Sequence, residues 1–105
     1  MYFRITSTSV ELVDPDDVTS FHAVHPAGLD RAELAEIVRK DDLGEVLPDG
    51  GHLMVPLGTV RRMATGRVGP GWESDFDSMI AYAARKGWLS DDGTRVRAHL
   101  EPERP

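Results

Sequence analysis

Cysteine is absent from the sequence, which excludes disulfide bonds and metal sites built on thiolates. Long apolar runs are also absent, since the uncharged stretches are far shorter than the roughly 20 residues that span a bilayer. Residues 1–5 do not form a basic segment followed by an apolar core, so we predict no secretory signal. These absences favour a soluble, cytoplasmic protein with no membrane partner.

Positive charge is scarce relative to negative charge, because 12 Lys and Arg stand against 18 Asp and Glu and give a net charge of −6. Phosphate backbones repel such an acidic chain on average, which argues against nucleic acid as a partner. Hydrophobic residues at 40% and charged residues at 29% are typical of a folded domain. We expect a single domain over residues 1–101 and a flexible tail over residues 102–105.

The first segment alternates between apolar and polar residues, which predicts a β-hairpin with its turn at residues 7–8. This turn would give three cross-strand pairs: Ile5–Val10, Phe3–Leu12 and Arg4–Glu11. Two-residue turns favour Asn-Gly over Ser-Thr, so a shifted register or a longer loop stays open. Residues 18–25 indicate a third strand, which Pro26 and Gly28 would end.

Helix signals occur in three places. Asp30 and Glu33 match a capping box, and an apolar stripe continues from Leu34 toward a helix end near residue 41. Pro56 suits the first position of a shorter helix. The strongest periodicity is in the third helix, with apolar residues on one face: Trp72, Phe76, Met79, Ile80 and Ala83.

The end of the third helix and the last strand are also marked. Gly87 is placed to be a left-handed cap, after which Trp88 can fold back onto Ala83. Alternation over residues 95–101 predicts a half-buried strand with three apolar residues on one side: Val96, Ala98 and Leu100. Whether residues 53–55 form a short strand stays open.

The element order is therefore β-β-β-α-(β)-α-α-β, which is typical of an α+β domain. We expect a small mixed or antiparallel sheet of about four strands, with two to three helices packed on one face. The C-terminal strand would join the N-terminal set, although the strand order is not readable from the sequence.

No catalytic residue, cofactor or metal site is predicted. His22 and His25 point to opposite sides of a strand, whereas His22 and His99 would share a polar face if their strands pair. That arrangement offers two metal ligands without a third. His52 follows two glycines in a loop, with no Ser or acid spaced to form a nucleophilic set.

The sheet face turned away from the helices is the candidate contact surface. We expect it to be mixed in character and locally basic, with eight residues on it: Tyr2, Arg4, Val13, His22, Val24, Arg95, Arg97 and His99. A single-layer sheet leaves this face to water or covers it with a partner. Five residues are the candidate contacts for a second copy or an acidic ligand: Arg4, His22, Arg95, Arg97 and His99.

Two alternatives remain beside a non-enzymatic binding or dimerising module. One is a ligand-binding protein or enzyme that uses either the face carrying His22, Arg97 and His99 or a pocket near His52 and Trp72. The other is a winged-helix DNA-binding protein with residues 72–86 as the recognition helix and a basic cluster nearby: Arg61, Arg62 and Arg67. Three acids at the start of that helix oppose phosphate contact: Glu73, Asp75 and Asp77.

Four features resemble short, uncharacterised proteins of high-GC actinobacteria. They are the Phe-Arg-Ile-Thr start at residues 3–6, the strand at 18–25, the Lys-Gly-Trp helix end at 86–88 and the Arg-Ala-His-Leu segment at 97–100. The resemblance covers most of the chain and implies no established activity, so no site residue is carried over from it.

Overall fold

The N-terminal hairpin forms with the register that its alternation predicts. In the computed structural model, which describes residues 1–103, β1 (Tyr2–Ile5) and β2 (Val10–Val13) pair antiparallel, and all three expected cross-strand pairs are confirmed. Within the turn, the Ser9 backbone N–H donates to Thr6 Oγ1 at 3.0 Å. The Thr6 N–H donates in turn to the Ser9 carbonyl oxygen at 2.8 Å. The Thr6 side chain and this backbone hydrogen bond together stabilise a turn that has no Asn-Gly pair.

The sheet contains six strands rather than the four that we expected. Beside β1 and β2 they are β3 (His22–His25), β4 (Glu45–Val46), β5 (His52–Pro56) and β6 (Arg95–Pro102). Their order is β2-β1-β3-β6-β5-β4, with β1, β3 and β6 parallel and the other neighbours antiparallel. β4 has only two residues and therefore no alternation to detect, whereas β5 resolves the open assignment of residues 53–55.

The three predicted helices are confirmed as α1 (Arg31–Lys40), α2 (Leu57–Ala64) and α3 (Trp72–Arg85). Asp30 is the N-cap of α1, since its Oδ1 accepts from the Ala32 backbone N–H at 3.1 Å. Pro56 precedes α2 as its N-cap instead of occupying the first helical position, so β5 runs directly into α2.

The C-terminus of α3 closes as its sequence predicts. Gly87 has a φ of +77°, which places it in the left-handed region that favours glycine. The Trp88 backbone N–H donates to the Ala83 carbonyl oxygen at 2.9 Å, so the chain folds back over the last turn. This reversal brings Trp88 beside β6.

The core lies between one face of the sheet and the helices. Sheet residues that are almost fully buried include Phe3, Ile5, Ala23, Leu53, Val55, Val96, Ala98 and Leu100. The helices contribute Leu34, Val38, Val60, Phe76 and Ala83. The side chains of β6 that alternate with its buried residues are exposed or half-buried, so the core-facing residues of this strand lie on one side of the sheet.

The bounds of the third strand and of the last strand differ from those expected. The third strand begins at His22 instead of residue 18, because residues 18–21 leave the sheet and line a cavity. At the other end, Pro102 is the last residue of β6, and the Glu103 backbone N–H donates to the His25 carbonyl oxygen at 2.6 Å. Of the expected tail, residues 104–105 lie outside the described part. Within residues 1–103, no helix has the length and apolar character needed to cross a membrane.

Candidate functional site

All five predicted contact residues lie on the sheet face opposite the helices, which we call the outer face. Its side chains project from the five longer strands: Tyr2, Arg4, Glu11, Val13, His22, Val24, His52, Met54, Arg95, Arg97, His99 and Glu101. All of them are half-buried or exposed, whereas their alternating neighbours pack in the core. The outer face is therefore open to solvent or to a partner.

Strand register brings three histidines into adjacent positions. His22 of β3 lies opposite His99 of β6, which lies opposite His52 of β5. The prediction that His22 and His99 share a polar face is confirmed. His52 was expected in a loop and instead extends this set, which we call the histidine row. Tyr2 flanks the row, with its ring stacked on His22 at a centroid distance of 5.1 Å.

The three arginines of the predicted face are not clustered. Arg4 lies on β1, where its Nη1 is 3.8 Å from a Glu11 carboxylate oxygen. Arg95 begins β6, with its Nη1 3.7 Å from a Glu45 carboxylate oxygen. Only Arg97 is close in the chain to the histidine row, two residues before His99 on the same face. The candidate contacts therefore separate into two paired arginines and a central group.

His52 has an acidic partner that sequence spacing did not single out. Its Nδ1 is 2.9 Å from Asp49 Oδ2, and Asp49 Oδ1 also accepts the Gly51 backbone N–H at 2.8 Å. The hydrogen bond from Gly51, followed by the contact with His52, lowers the pKa of the Asp49 carboxyl group below its usual value. The carboxylate therefore stays ionised and orients the imidazole.

A cavity of about 320 Å³ lies between residues 18–21, the end of α3 and the first part of β6. β3 begins at His22, which pairs with His99 of β6. Residues 95–98 of β6 therefore have no β3 residue beside them, and this gap in the pairing opens the cavity. The segment after α3 pairs there instead, and the Arg97 backbone N–H donates to the Trp88 carbonyl oxygen at 2.8 Å. The space beyond this segment stays open.

Apolar and aromatic side chains form most of the cavity wall. The residues that line it are Val18, Thr19, Ser20, Phe21, Met79, Tyr82, Ala83, Trp88, Val96 and Arg97. Tyr82 is 47% exposed, and its ring meets Trp88 edge to face at a centroid distance of 5.9 Å. A partly exposed aromatic pair beside a concave apolar surface is typical of a ligand site.

Three cationic side chains lie around the cavity, together with one carboxylate, since Asp17 Oδ1 accepts from the backbone N–H of the lining residue Thr19 at 3.0 Å. Arg97 is the charged residue of the lining, and its guanidinium carbon lies 5.9 Å from the centroid of the Trp88 ring. The Arg85 guanidinium carbon and the Lys86 amine nitrogen lie 5.8 and 5.5 Å from the centroid of the Tyr82 ring. We call Arg85, Lys86 and Arg97 the cationic rim. Over residues 1–103, no carboxylate lies within ion-pairing distance of Arg97.

The expected pocket near His52 and Trp72 does not form. Trp72 is buried on the helix side of the sheet, where its Nε1 donates to the Pro15 carbonyl oxygen, whereas His52 is on the outer face. The sheet separates the two residues. A shallow cavity of about 220 Å³ beside Trp72 is lined instead by residues of α2, α3 and their connecting loop.

The winged-helix arrangement is also not found. β6 is a central strand of the six-stranded sheet instead of part of a two-stranded wing. Of the basic cluster, Arg61 contacts carboxylates of α3, with its Nε 2.7 Å from Glu73 and its Nη2 3.5 Å from Asp77. These exposed pairs connect α2 to α3 and reduce the positive charge available to a phosphate backbone.

The aromatic cavity is the feature that sequence analysis missed. Tyr82 lies outside the apolar stripe of α3, at a position where a helix facing solvent usually carries a polar residue. An aromatic residue off the stripe, six residues before Trp88, is the signal that could have indicated a surface site. The sequence did not indicate that residues 18–21 form part of the cavity wall, because these residues also have the alternation of a strand.

Across residues 1–103, no group of three or more His, Asp or Glu side chains is arranged to hold a metal ion. Comparison of the chain with models of protein families, with curated proteins and with solved structures finds no match in any of the three.

Proposed function

We propose that this protein is a non-enzymatic binding module for a small amphipathic anion. The ligand would place an aromatic or branched aliphatic group in the cavity and a carboxylate against Arg97. The observation that carries the proposal is an apolar cavity with a single charged lining residue, a guanidinium that has no ion-pair partner in the described residues.

The size and lining of the cavity support a small ligand. Its volume of about 320 Å³ is at the lower end of the roughly 300–1,000 Å³ of ligand sites. Burial of an apolar group there stabilises the complex by roughly 25 cal/mol for each Å² removed from water. Tyr82 and Trp88 offer both ring edges and ring faces, which favours an aromatic group in the ligand.

The positive charge of Arg97 favours a carboxylate at the other end of the ligand. A guanidinium donates two parallel hydrogen bonds to a carboxylate, and such a charge-assisted pair is stronger than a neutral hydrogen bond. Arg85 and Lys86 add positive potential at the opening and attract anions although the whole chain has a net charge of −6.

The types of residue that line the cavity favour binding over catalysis. Over residues 1–103, the lining includes the hydroxyls of Thr19, Ser20 and Tyr82 but no histidine or carboxylate, and histidine is the side chain that most often transfers protons in catalysis. The histidine row lies on the outer face, outside this lining.

Naphthoate is a suitable probe, because it combines a fused aromatic ring with a carboxylate. We expect its titration to shift the backbone amide NMR signals of Phe21, Tyr82, Trp88 and Arg97. Naphthalenemethanol, which lacks the charge, should bind at least about tenfold more weakly, since a charged hydrogen bond contributes about 1.5–3 kcal/mol. Absence of saturable shifts at these residues would overturn the proposal.

Two arginine variants distinguish a specific contact between Arg97 and the ligand from attraction by the net charge of the protein. R97Q should weaken naphthoate binding at least about tenfold while leaving naphthalenemethanol binding unchanged. R62Q removes the same charge from an exposed position on α2 that does not line this cavity, and it should bind naphthoate like the unmodified protein. Equal losses in both variants would show that net charge alone attracts the probe.

The open outer face favours self-association as a second candidate. Partly exposed apolar residues are distributed across it: Tyr2, Val13, Val24 and Met54. Its paired charges, Arg4 with Glu11 and Arg95 with Glu45, reduce the repulsion between two copies that approach face to face. A two-fold dimer would bury these residues against the same residues of the partner.

Light scattering tests the dimer directly. We expect a particle of about twice the 11.6 kDa chain mass at micromolar concentration, and a monomer for M54E, which places a charge within the outer face. The control A35E places the same charge on an exposed position of α1 and should leave the mass unchanged. A monomer of the unmodified protein at all concentrations would exclude this candidate.

A further inference from the structure

His52 and His99 form a closely spaced cross-strand pair on the outer face. The Leu100 backbone N–H donates to the Gly51 carbonyl oxygen at 2.8 Å, so these two residues are a hydrogen-bonded pair of the antiparallel ladder. The adjacent pair, His52 and His99, is therefore of the non-hydrogen-bonded type, in which the Cα atoms approach to about 4.5 Å. Their ring centroids are 5.7 Å apart, with the planes at 76°.

Asp49, the acidic partner of His52, orients the His52 ring so that it can bind a metal ion. The contact of 2.9 Å between Asp49 Oδ2 and His52 Nδ1 places the ring proton on Nδ1 and leaves the Nε2 lone pair free. Asp49 is itself held by the Gly51 N–H at 2.8 Å. A carboxylate that orients a histidine from its far nitrogen is the usual outer-shell arrangement of metal-binding imidazoles.

A second carboxylate lies on the other side of the pair. Glu101 Oε2 is 3.6 Å from His99 Nε2, on the same strand and the same face. It supplies negative charge beside the pair, which favours a cation there. His22, the third member of the histidine row, is stacked against Tyr2 instead.

We propose that His52 and His99 chelate a divalent transition metal ion, with Zn²⁺, Ni²⁺ and Cu²⁺ as the ions that imidazole nitrogens prefer. Since no group of three side chains is arranged for a metal within residues 1–103, water completes the coordination. The metal site lies on β5 and β6 and includes no residue that lines the aromatic cavity. The test of metal binding is therefore independent of the test of anion binding in the cavity.

Isothermal titration of the untagged full chain with Ni²⁺, in a buffer that does not bind metals, tests the site. We expect one ion per chain at micromolar affinity, and at least a tenfold loss in H52Q and in H99Q. The double variant should show no saturable binding, because it removes both ligands of the one ion. Absence of binding by the unmodified protein, or binding that survives the double variant, would falsify the site.

Two control histidines make the assignment specific. H25Q should bind Ni²⁺ with unchanged affinity, because His25 is at the end of β3 and its Nδ1 lies 2.9 Å from the Pro26 carbonyl oxygen. H22Q should also be unchanged, and a tenfold loss there would overturn the assignment to the His52–His99 pair.

The role of Asp49 is tested by a variant that keeps the turn. D49N retains an oxygen acceptor for the Gly51 N–H but removes the negative charge beside His52. We expect Ni²⁺ affinity to fall by about 10–100-fold, which is the usual effect of losing an outer-shell partner. Unchanged affinity would overturn the orienting role. Circular-dichroism melting without metal shows whether each variant is folded, so that a loss of affinity reports on ligation.

Discussion

The indole nitrogen of Trp72 donates a buried hydrogen bond of 2.6 Å to the backbone carbonyl oxygen of Pro15, 57 residues earlier in the chain. The same indole stacks on Phe76 with ring centroids 4.7 Å apart. The contact ties the first residue of α3 to the loop that leads into β3. Because residues 18–21 follow that loop directly, Trp72 also helps to position one wall of the aromatic cavity.

Replacing Trp72 with Phe should reduce the free energy of unfolding by about 1–3 kcal/mol. The ring still fills part of the space, but the buried Pro15 carbonyl oxygen loses its donor. Urea denaturation followed by circular dichroism measures the change. W88F is the control, since Trp88 is only partly buried and its indole nitrogen makes no hydrogen bond in the described residues. An equal loss in both variants would contradict the role of the hydrogen bond.

Gly44 is a position where a side chain does not fit. Its φ is +94°, and a Cβ atom there would lie 1.7 Å from the Met54 backbone carbonyl oxygen. G44A should therefore destabilise the protein by more than the roughly 1–2 kcal/mol that the left-handed conformation alone costs. The contact lies on the β4–β5 pairing, so loss of amide protection in β4 should accompany it.

A second glycine provides the control for Gly44. Gly58 lies inside α2, and a Cβ atom there would have no neighbour within 4 Å. G58A should stabilise the protein by about 0.5–1 kcal/mol, because alanine has less freedom to lose in a helix. Thermal unfolding of the two variants should therefore move the midpoint in opposite directions, and shifts of the same sign would contradict this prediction.

Thr59 links α2 to the end of α1. It is 4% exposed, and its Oγ1 donates to the Asp42 carbonyl oxygen at 2.6 Å. T59V has nearly the same shape but leaves that carbonyl without its donor, so we expect a loss of about 1–3 kcal/mol in chemical denaturation. In the control T65V, the affected Arg61 carbonyl is on an exposed helix end, and the loss should stay below about 0.5 kcal/mol.

Asp92 should make the stability depend on pH in the acidic range. Hydrogen bonds from the Thr94 side chain, the Thr94 backbone and the Ser90 side chain lower its pKa to about 2 from an ordinary value of 3.8. A folded-state pKa below the unfolded value means that the contribution is present above the unfolded pKa. It is lost as the pH falls from about 4 to about 2.

Urea unfolding at several pH values tests the Asp92 contribution. D92N should show a smaller decrease of stability between about pH 4 and about pH 2 than the unmodified protein. D91N is the neighbouring control, because the Asp91 side chain makes no hydrogen bond in the described residues, and its pH profile should match that of the unmodified protein. A D92N profile parallel to that of the unmodified protein would contradict the prediction.

Local patterns predicted the hairpin, the three helices and β6, because each depends on neighbours in the chain. The hairpin register follows from alternation over a short loop, and α3 follows from its stripe, its charged ends and Gly87. β4 was not predicted because a strand of two residues is too short to show alternation. It is a strand only because it pairs with β5, which is a contact between separate segments. The start of β3 was wrong because residues 18–21 have a strand pattern but no free edge of β6 to pair with.

The sequence by itself determined which residues face the core, since helix and strand periods assign sides without reference to distant contacts. Only the tertiary structure decided that β6 lies between β3 and β5, and this order places His52 beside His99. It also decided that Trp88 lies next to Arg97, opposite residues 18–21. The physical reason is that strand order and cavity walls depend on contacts between distant segments, for which local periodicity holds no information.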